Sequence, residues 1–383
     1  MFTLFSSACL VLARVSGFLS CLNFCCSRNW SNPVPSQTCD SSLKPFLIAA
    51  LCLICSLPLS AQMQKPDVLI NDLKNPWGVA VRPTTGIIYV SDTGRGRIVS
   101  LEYRNMDEVI VDFPLSEYKL DAGIVLGPLG LIFRGNDTLI VGTGGGQDGD
   151  DGISIFDVRR KKKDPIKADD PDATLKLFSD EKYKPEGDFF SLAITRAALY
   201  STCGGDVDQG WLARAEMRVG EIKNFRRYIP TRPLSHTANP GGVCISPQGH
   251  IVVSQMGSRD KPGDSLLTFY SPLGELLDKF PTGLSDVVAI AYGPRKRRLY
   301  ALDFNWANPR EGGLYKLVSV DTDDGCEAKL IARLQRPTAM AFDRKGNLYV
   351  TTCGFGAVEN RDLAPDQDVF EHDGKLVVFR DLD

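Results

Sequence analysis

The sequence predicts an all-β protein, a six-bladed β-propeller of four-stranded antiparallel blades whose N-terminal strand closes the last blade. Three observations predict it. One phrase recurs six times after residue 74: an opening residue, a short apolar run, a tight turn, then a second apolar run ending in small or polar residues. The copies are spaced by roughly 45–60 residues, the length of one blade. The runs are broken by Gly, Pro, Asn and Asp, and no stretch beyond residue 62 keeps a helical period long enough to compete.

Residues 1–61 form a unit separate from the repeats at 62–383. Lys44, the apolar stretch Phe46 to Leu57 and the tail Pro58-Leu59-Ser60-Ala61 have the layout of an export signal cleaved near Ala61. The expected location is therefore secreted or periplasmic. An uncleaved membrane anchor is the alternative, although the stretch is short for a span. A second apolar region, Phe2 to Leu22, is broken by Arg14 and has no place in such a signal. A native start further in would explain it, and would be non-AUG, because no Met lies between Met1 and Met63.

The first copy is Pro76-Trp77-Gly78-Val79-Ala80-Val81, a turn at 82–86, then Ile87 to Asp92. The second opens at Gly127-Pro128 and returns through Leu139 to Gly142. The third opens at Asp188, runs through Phe189 to Ile194, and returns at Leu199-Tyr200-Ser201. The fourth opens at Asn239-Pro240, the fifth at Ser285-Asp286 and the sixth at Arg336-Pro337, each with a matching return run. Third and fourth strands follow, as in Arg97 to Leu101 with Val109 to Phe113. After the last copy only one further strand remains, Lys375 to Phe379, so Val68-Leu69-Ile70 is expected to supply the missing fourth and remove an open sheet edge.

The first and sixth copies resemble NHL-type repeats through Pro76, Gly78-Val79-Ala80-Val81, Gly86, Tyr89-Val90, Asp92, Arg97-Ile98, Pro337, Ala341-Phe342 and Gly346 to Val350. Across residues 66–380 the chain is similar to six-bladed propellers of the NHL and gluconolactonase-like kind. That fold hosts enzymes, ligand binders and scaffolds alike.

The chain carries a net charge of −3; Arg14, Arg28 and Lys44 against Asp40 make residues 1–61 +2, which leaves −5 on the remainder. Such mild acidity argues against nucleic acid as the main partner. In a propeller the openings of inner strands and the second-to-third loops share one face, here called upper; the other turns share the lower face. Upper loops read acidic (Asp92, Asp148, Asp150, Asp151, Glu186, Asp188, Asp206, Asp208, Asp286, Asp303) and lower turns basic (Arg82, Arg134, Arg196, Arg295 to Arg298, Arg344-Lys345, Arg159 to Lys163). The upper mouth is expected to suit a cation or polyol and the lower face an anionic surface. Of the eleven Cys, Cys203, Cys244, Cys326 and Cys353 lie beyond residue 62. They lack zinc-type CxxC spacing, and their pairing stays open between three connectivities and free thiols.

Asn and Asp at the upper openings, with Asp188, Asn239 and Asp286 foremost, have the oxygen chemistry of a Ca²⁺ site. Such a cation polarises a lactone or ester carbonyl while an Asp acts as base. The gluconolactonase-like resemblance implies Asn239 and Asp286 as metal or base residues. It implies a Glu opening the first inner strand, where this chain has Asn75-Pro76, and a Gly after the Asn, where it has Pro240. Glu186 is the acidic side chain placed to substitute. His236 is the upper-face candidate for proton transfer. Trp306, beside Asn305 and Asp303, suits stacking on a sugar or peptide, or packing on a neighbouring blade; Gln255 and Asp92 end second strands at the same mouth. The loop Gly144 to Gly152 is glycine- and aspartate-rich but lacks EF-hand spacing, and no helix follows it to make a dinucleotide site. The acidic loop Val358 to Asp373 is placed to cover the mouth or to move freely. The expected function is an exported binding module for a small polar ligand, carbohydrate or protein at the upper face. The alternative is a Ca²⁺-dependent lactonase or related hydrolase.

Overall fold

The computed structural model describes residues 63–117, 123–159, 164–181, 186–204, 210–236, 239–322, 325–353 and 374–383. The expected signal in residues 1–61, the loop Val358 to Asp373, Asp206, Asp208 and the basic residues Arg160 to Lys163 lie outside them.

The described residues form six blade sheets of a propeller and one small two-stranded sheet, Ser116–Glu117 with Val125–Leu126. Blade 1 is Val79–Val81, Ile88–Asp92, Arg97–Glu102 and Asn105–Val111. Blade 2 is Pro128–Arg134, Thr138–Thr143, Ile153–Asp157 and Ala173–Leu175. Blade 3 is Phe189–Ile194, Ala198–Cys203, Trp211–Arg218 and Glu221–Pro230. Blade 4 is Pro240–Ile245, Ile251–Gln255, Leu266–Tyr270 and Leu276–Pro281. Blade 5 is Val287–Tyr292, Leu299–Asp303, Gly313–Thr322 and Gly325–Arg333. Blade 6 is Pro337–Phe342, Leu348–Thr352 and Gly374–Phe379, and its fourth strand is Asp67–Leu73, which pairs antiparallel with Gly374–Phe379. The ring is thus closed by the N-terminal strand, as the missing strand of the last repeat requires.

Two features were not legible in advance. The long connection after the third strand of blade 2 contributes Ile166–Lys167 as a fifth, parallel strand on the outer edge of blade 1. A five-residue helix, Thr231–Ser235, precedes blade 4.

The blades are held by hydrophobic cores that lie between them rather than within them. Ala80, Tyr89, Ile98 and Ile110 of blade 1 pack with Leu131, Phe133, Leu139 and Val141 of blade 2, all buried. Strands alternate side chains between two faces, and in a propeller both faces meet a neighbouring blade, so near-continuous apolar runs are required. Those runs are what the repeat displays.

The small or polar ending of each second strand has a specific role. Inner strands of blades 2 to 6 share a register shift just after they open: between Pro128 and Leu131, Phe189 and Ser191, Pro240 and Val243, Val287 and Ala289, and Pro337 and Ala339. Such a bulge takes carbonyls out of the ladder. A hydroxyl from the preceding blade meets three of them: Ser91 donates to Leu129 O (2.9 Å), Thr202 to Gly241 O (2.8 Å) and Ser254 to Val287 O (2.7 Å); Thr351 donates likewise to Trp77 O (2.9 Å), just ahead of the inner strand of blade 1. Each donor is fully buried, so each bond satisfies a group that water does not reach. At the junction of blades 2 and 3 the same position is Gly142; a Cβ there would lie 2.2 Å from Phe189 O. That junction relies on close approach instead of a hydroxyl.

Candidate functional site

The upper rim brings several expected residues together but turns their polar atoms inward. Asp303 closes the second strand of blade 5, and its carboxylate accepts from Asp286 N (2.7 Å) and Ser285 N (3.3 Å). Asp92 occupies the same position in blade 1, accepting from Lys74 N (2.7 Å) and from Arg97 (2.8 Å). Both clamp the start of an inner strand to the end of the second. Asp286 is 3 % exposed and accepts from Trp306 N at 2.8 Å. Burial pushes its pKa up to about 6, opposed by that N–H and reinforced by the Asp303 charge. Burial also raises Asp303.

The remaining candidates are dispersed. Glu186 is buried in an ion pair with Arg227 at 3.3 Å, inside blade 3. Asp188 is half-buried with φ 57°, its carboxylate against Gly144. Asn239 is half-buried, and its Oδ1 has no hydrogen bond among the described residues. Gln255 is fully buried and turned into its own blade, donating to Thr268 at 3.5 Å. His236 is exposed, at the C-terminal cap of the short helix. Asn305 has φ 52° and caps its own loop by accepting from Asn308 N. In the loop 144–152, Asp151 accepts from Gly146 N (2.9 Å) and is raised by burial. None of the four Cys beyond residue 62 is joined in a disulfide among the described residues.

Ca²⁺ takes six to eight oxygens. Among the described residues no three His, Cys, Asp or Glu side chains converge to hold a metal ion; Asp92 is taken up by Lys74 N, Arg95 and Arg97, Asp303 by the N–H groups of Ser285 and Asp286, and Asp286 accepts from Trp306 N. These carboxylates do not by themselves supply a Ca²⁺ cage.

Trp306 lies in an aromatic cluster. Its ring is 4.4 Å from Phe304, and the Arg259 guanidinium stands 4.8 Å over it. Phe304 is 6.4 Å from Trp77, which is 5.2 Å from Phe190. These rings come from blades 1, 3 and 5, alternate members of a six-membered ring, so they meet across its axis. They plug the upper end of the axial channel. Trp77 and Phe190 carry a signal in the repeat alignment. Both stand two residues after the opening residue, where the other copies have Leu129, Gly241, Val288 and Thr338. Bulky residues on one side oppose Gly241 and Thr338 on the other.

Below the plug lies a cavity of about 400 Å³. It is lined by inner strands, including Val81, Ile132, Ile194, Ile245, Ile290 and Met340. Burial falls along these strands: Pro240–Ile245 and Val287–Tyr292 are buried for four residues and half-buried for the last two, and Pro337–Phe342 is half-buried for its last four. The channel is therefore shut above and open below. Its half-buried polar side chains include Cys244 and Tyr292, and burial pushes both pKa values up, so both are neutral at physiological pH. Around the lower mouth stand the exposed basic turns with Arg196, Arg295 to Arg298 and Arg344-Lys345.

No protein-family profile matches the chain, and no curated protein matches it. Solved structures do. A Thermus thermophilus oxidoreductase described as a glucose dehydrogenase aligns over 82 % of this chain and 99 % of its own, with TM-score 0.54 and 16 % identity. A gluconolactonase from Xanthomonas campestris aligns over 92 % and 98 %, with TM-score 0.51 and 13 % identity. A calcium-binding regucalcin from Agrobacterium tumefaciens aligns over 83 % and 94 %, with TM-score 0.50 and 10 % identity. The resemblance to gluconolactonase-like six-bladed propellers thus holds at the level of the fold, an all-β ring of four-stranded blades.

Proposed function

We propose that the chain is an exported ligand-binding propeller whose binding space is the axial channel. The observation that carries this reading is the cavity of about 400 Å³ closed at one end by Trp77 and Phe190 and open at the other. Its size falls in the range of small-molecule sites, and it is bounded by rigid strands. The lining selects a ligand with an apolar body, because a buried charge would find no counter-ion on the inner strands. The test is titration with 1-anilinonaphthalene-8-sulfonate, an aromatic anion whose fluorescence rises on leaving water. Saturable 1:1 binding that Ala341→Trp abolishes, with folding intact, supports the channel. Binding indifferent to that substitution overturns it.

A second reading, a sugar-transforming enzyme at the upper rim, is favoured by Asp286. A carboxyl titrating at about 6 exchanges protons near neutrality, and the solved structures of like fold include a glucose dehydrogenase and a gluconolactonase. Acid release from D-glucono-δ-lactone in a pH-stat, lost in Asp286→Asn, is its signature.

A further inference from the structure

The turns joining third and fourth strands fall on the lower face, and among the described residues those of blades 1, 3 and 4 carry exposed large apolar side chains at their tips. Tyr103 of blade 1 is 94 % exposed, Val219 of blade 3 is 104 % exposed and Leu273 of blade 4 is 80 % exposed. Hairpin tips ordinarily take Gly, Asn or Asp. Tyr103 sits there with φ 58°, in the left-handed region that a bulky side chain disfavours. The side chains of Tyr103, Val219 and Leu273 themselves gain no burial in return.

The inner turns of that face are basic. Exposed Arg196, Arg297, Arg298, Arg344 and Lys345 lie on the inner turns. Arg134, on the inner turn of blade 2, donates to Arg218 O beside Val219 at 2.6 Å, so inner turns and outer tips share one level. Acidic neighbours of the tips are largely engaged: Glu221 pairs with Lys223 at 2.9 Å and Glu216 with Arg218 at 3.1 Å. Glu102 and Glu275 adjoin Tyr103 and Leu273, Asp137 and Asp343 lie in the inner turns, and Asp381 and Asp383 sit against Arg295 and Lys296; within the inner turns the cations outnumber the acids.

We propose that this lower face docks on an anionic lipid surface, with Tyr103, Val219 and Leu273 entering the headgroup region and the basic inner turns meeting lipid phosphates. The arrangement favours a bilayer over a protein partner. The three prongs stand on separate blades and form no contiguous patch. A protein would need three matched pockets, whereas lipid admits isolated side chains at any spacing. Tyrosine suits the interface through its polar hydroxyl, and each cation near an anionic surface adds to the attraction. The inference is independent of what the channel holds.

The test is co-sedimentation of the protein with vesicles of phosphatidylcholine alone and with 30 % phosphatidylglycerol, at 0.05 and 0.5 M NaCl. The expected result is binding to the anionic vesicles, weakened by salt. Val219→Asp with Leu273→Asp lowers partitioning at least tenfold. Arg196→Glu and Arg344→Glu each lower it by roughly fivefold or more, from about 1 kcal/mol per cation. All four positions are exposed, and an unchanged thermal transition verifies folding. No binding to either vesicle, equal binding to both, or binding unaltered by the tip substitutions overturns the proposal.

Discussion

Asp286 gives the sharpest quantitative test of the upper rim. Its carboxyl is held in the folded ring with a pKa of about 6, against 3.8 ordinarily, because burial penalises the charge. A rise of that size corresponds to a penalty of about 3 kcal/mol for ionising the group in the folded state. Between pH 4 and 6 the folded chain keeps a proton that the unfolded chain has released, so stability falls as pH rises through this window. Asp286→Asn removes the charge while its amide oxygen still accepts from Trp306 N. The variant is expected to be more stable than the parent at pH 7, by up to about 3 kcal/mol, and equal to it below pH 4. Urea unfolding followed by tryptophan fluorescence at pH 4, 5, 6 and 7 measures the difference, which corresponds to a midpoint shift of order 1 M at pH 7. A variant less stable at pH 7, or a difference that does not change with pH, refutes the assignment of burial as the dominant cause.

Three further outcomes follow from the packing. Trp77→Ala removes the central ring of the axial plug and is expected to cost about 3–5 kcal/mol in urea unfolding, while opening the channel at its upper end to the fluorescent probe. Arg227→Ala leaves the Glu186 carboxylate buried without its cation and is expected to cost about 3–5 kcal/mol; Glu186→Gln with Arg227→Met recovers most of that loss in the same assay. Thr351→Val deletes the hydroxyl that donates to Trp77 O across the closure of the ring and is expected to cost about 1–3 kcal/mol, read as a lowered thermal midpoint.

Some candidate residues were legible for the wrong reason. Asp92 and Asp303 recur at one repeat position because an acceptor is needed there for the N–H groups that open an inner strand. Recurrence of Asp at this position in blades 1 and 5 marks a structural need those two blades share rather than a ligand site. Ser91, Thr202, Ser254 and Thr351 follow the same logic. Their small, polar character was visible, and their inter-blade bonds were not, because the acceptor belongs to the next repeat. Trp306 is drawn into the plug by Phe304 and Arg259, partners that spacing along the chain does not reveal.

The sequence by itself determined the strand periodicity, the blade count and the closure by residues near Val68, because alternation, turn chemistry and repeat length are local properties that each copy states anew. It also determined that arginine and lysine collect in the lower turns. Only the tertiary structure decided which end of the axis is shut. Trp77, Phe190 and Phe304 are separated by more than a hundred residues, and they touch because ring closure brings alternate blades to one axis. Side-chain volume summed across that axis, rather than any one residue's chemistry, sets where the channel ends and where it opens.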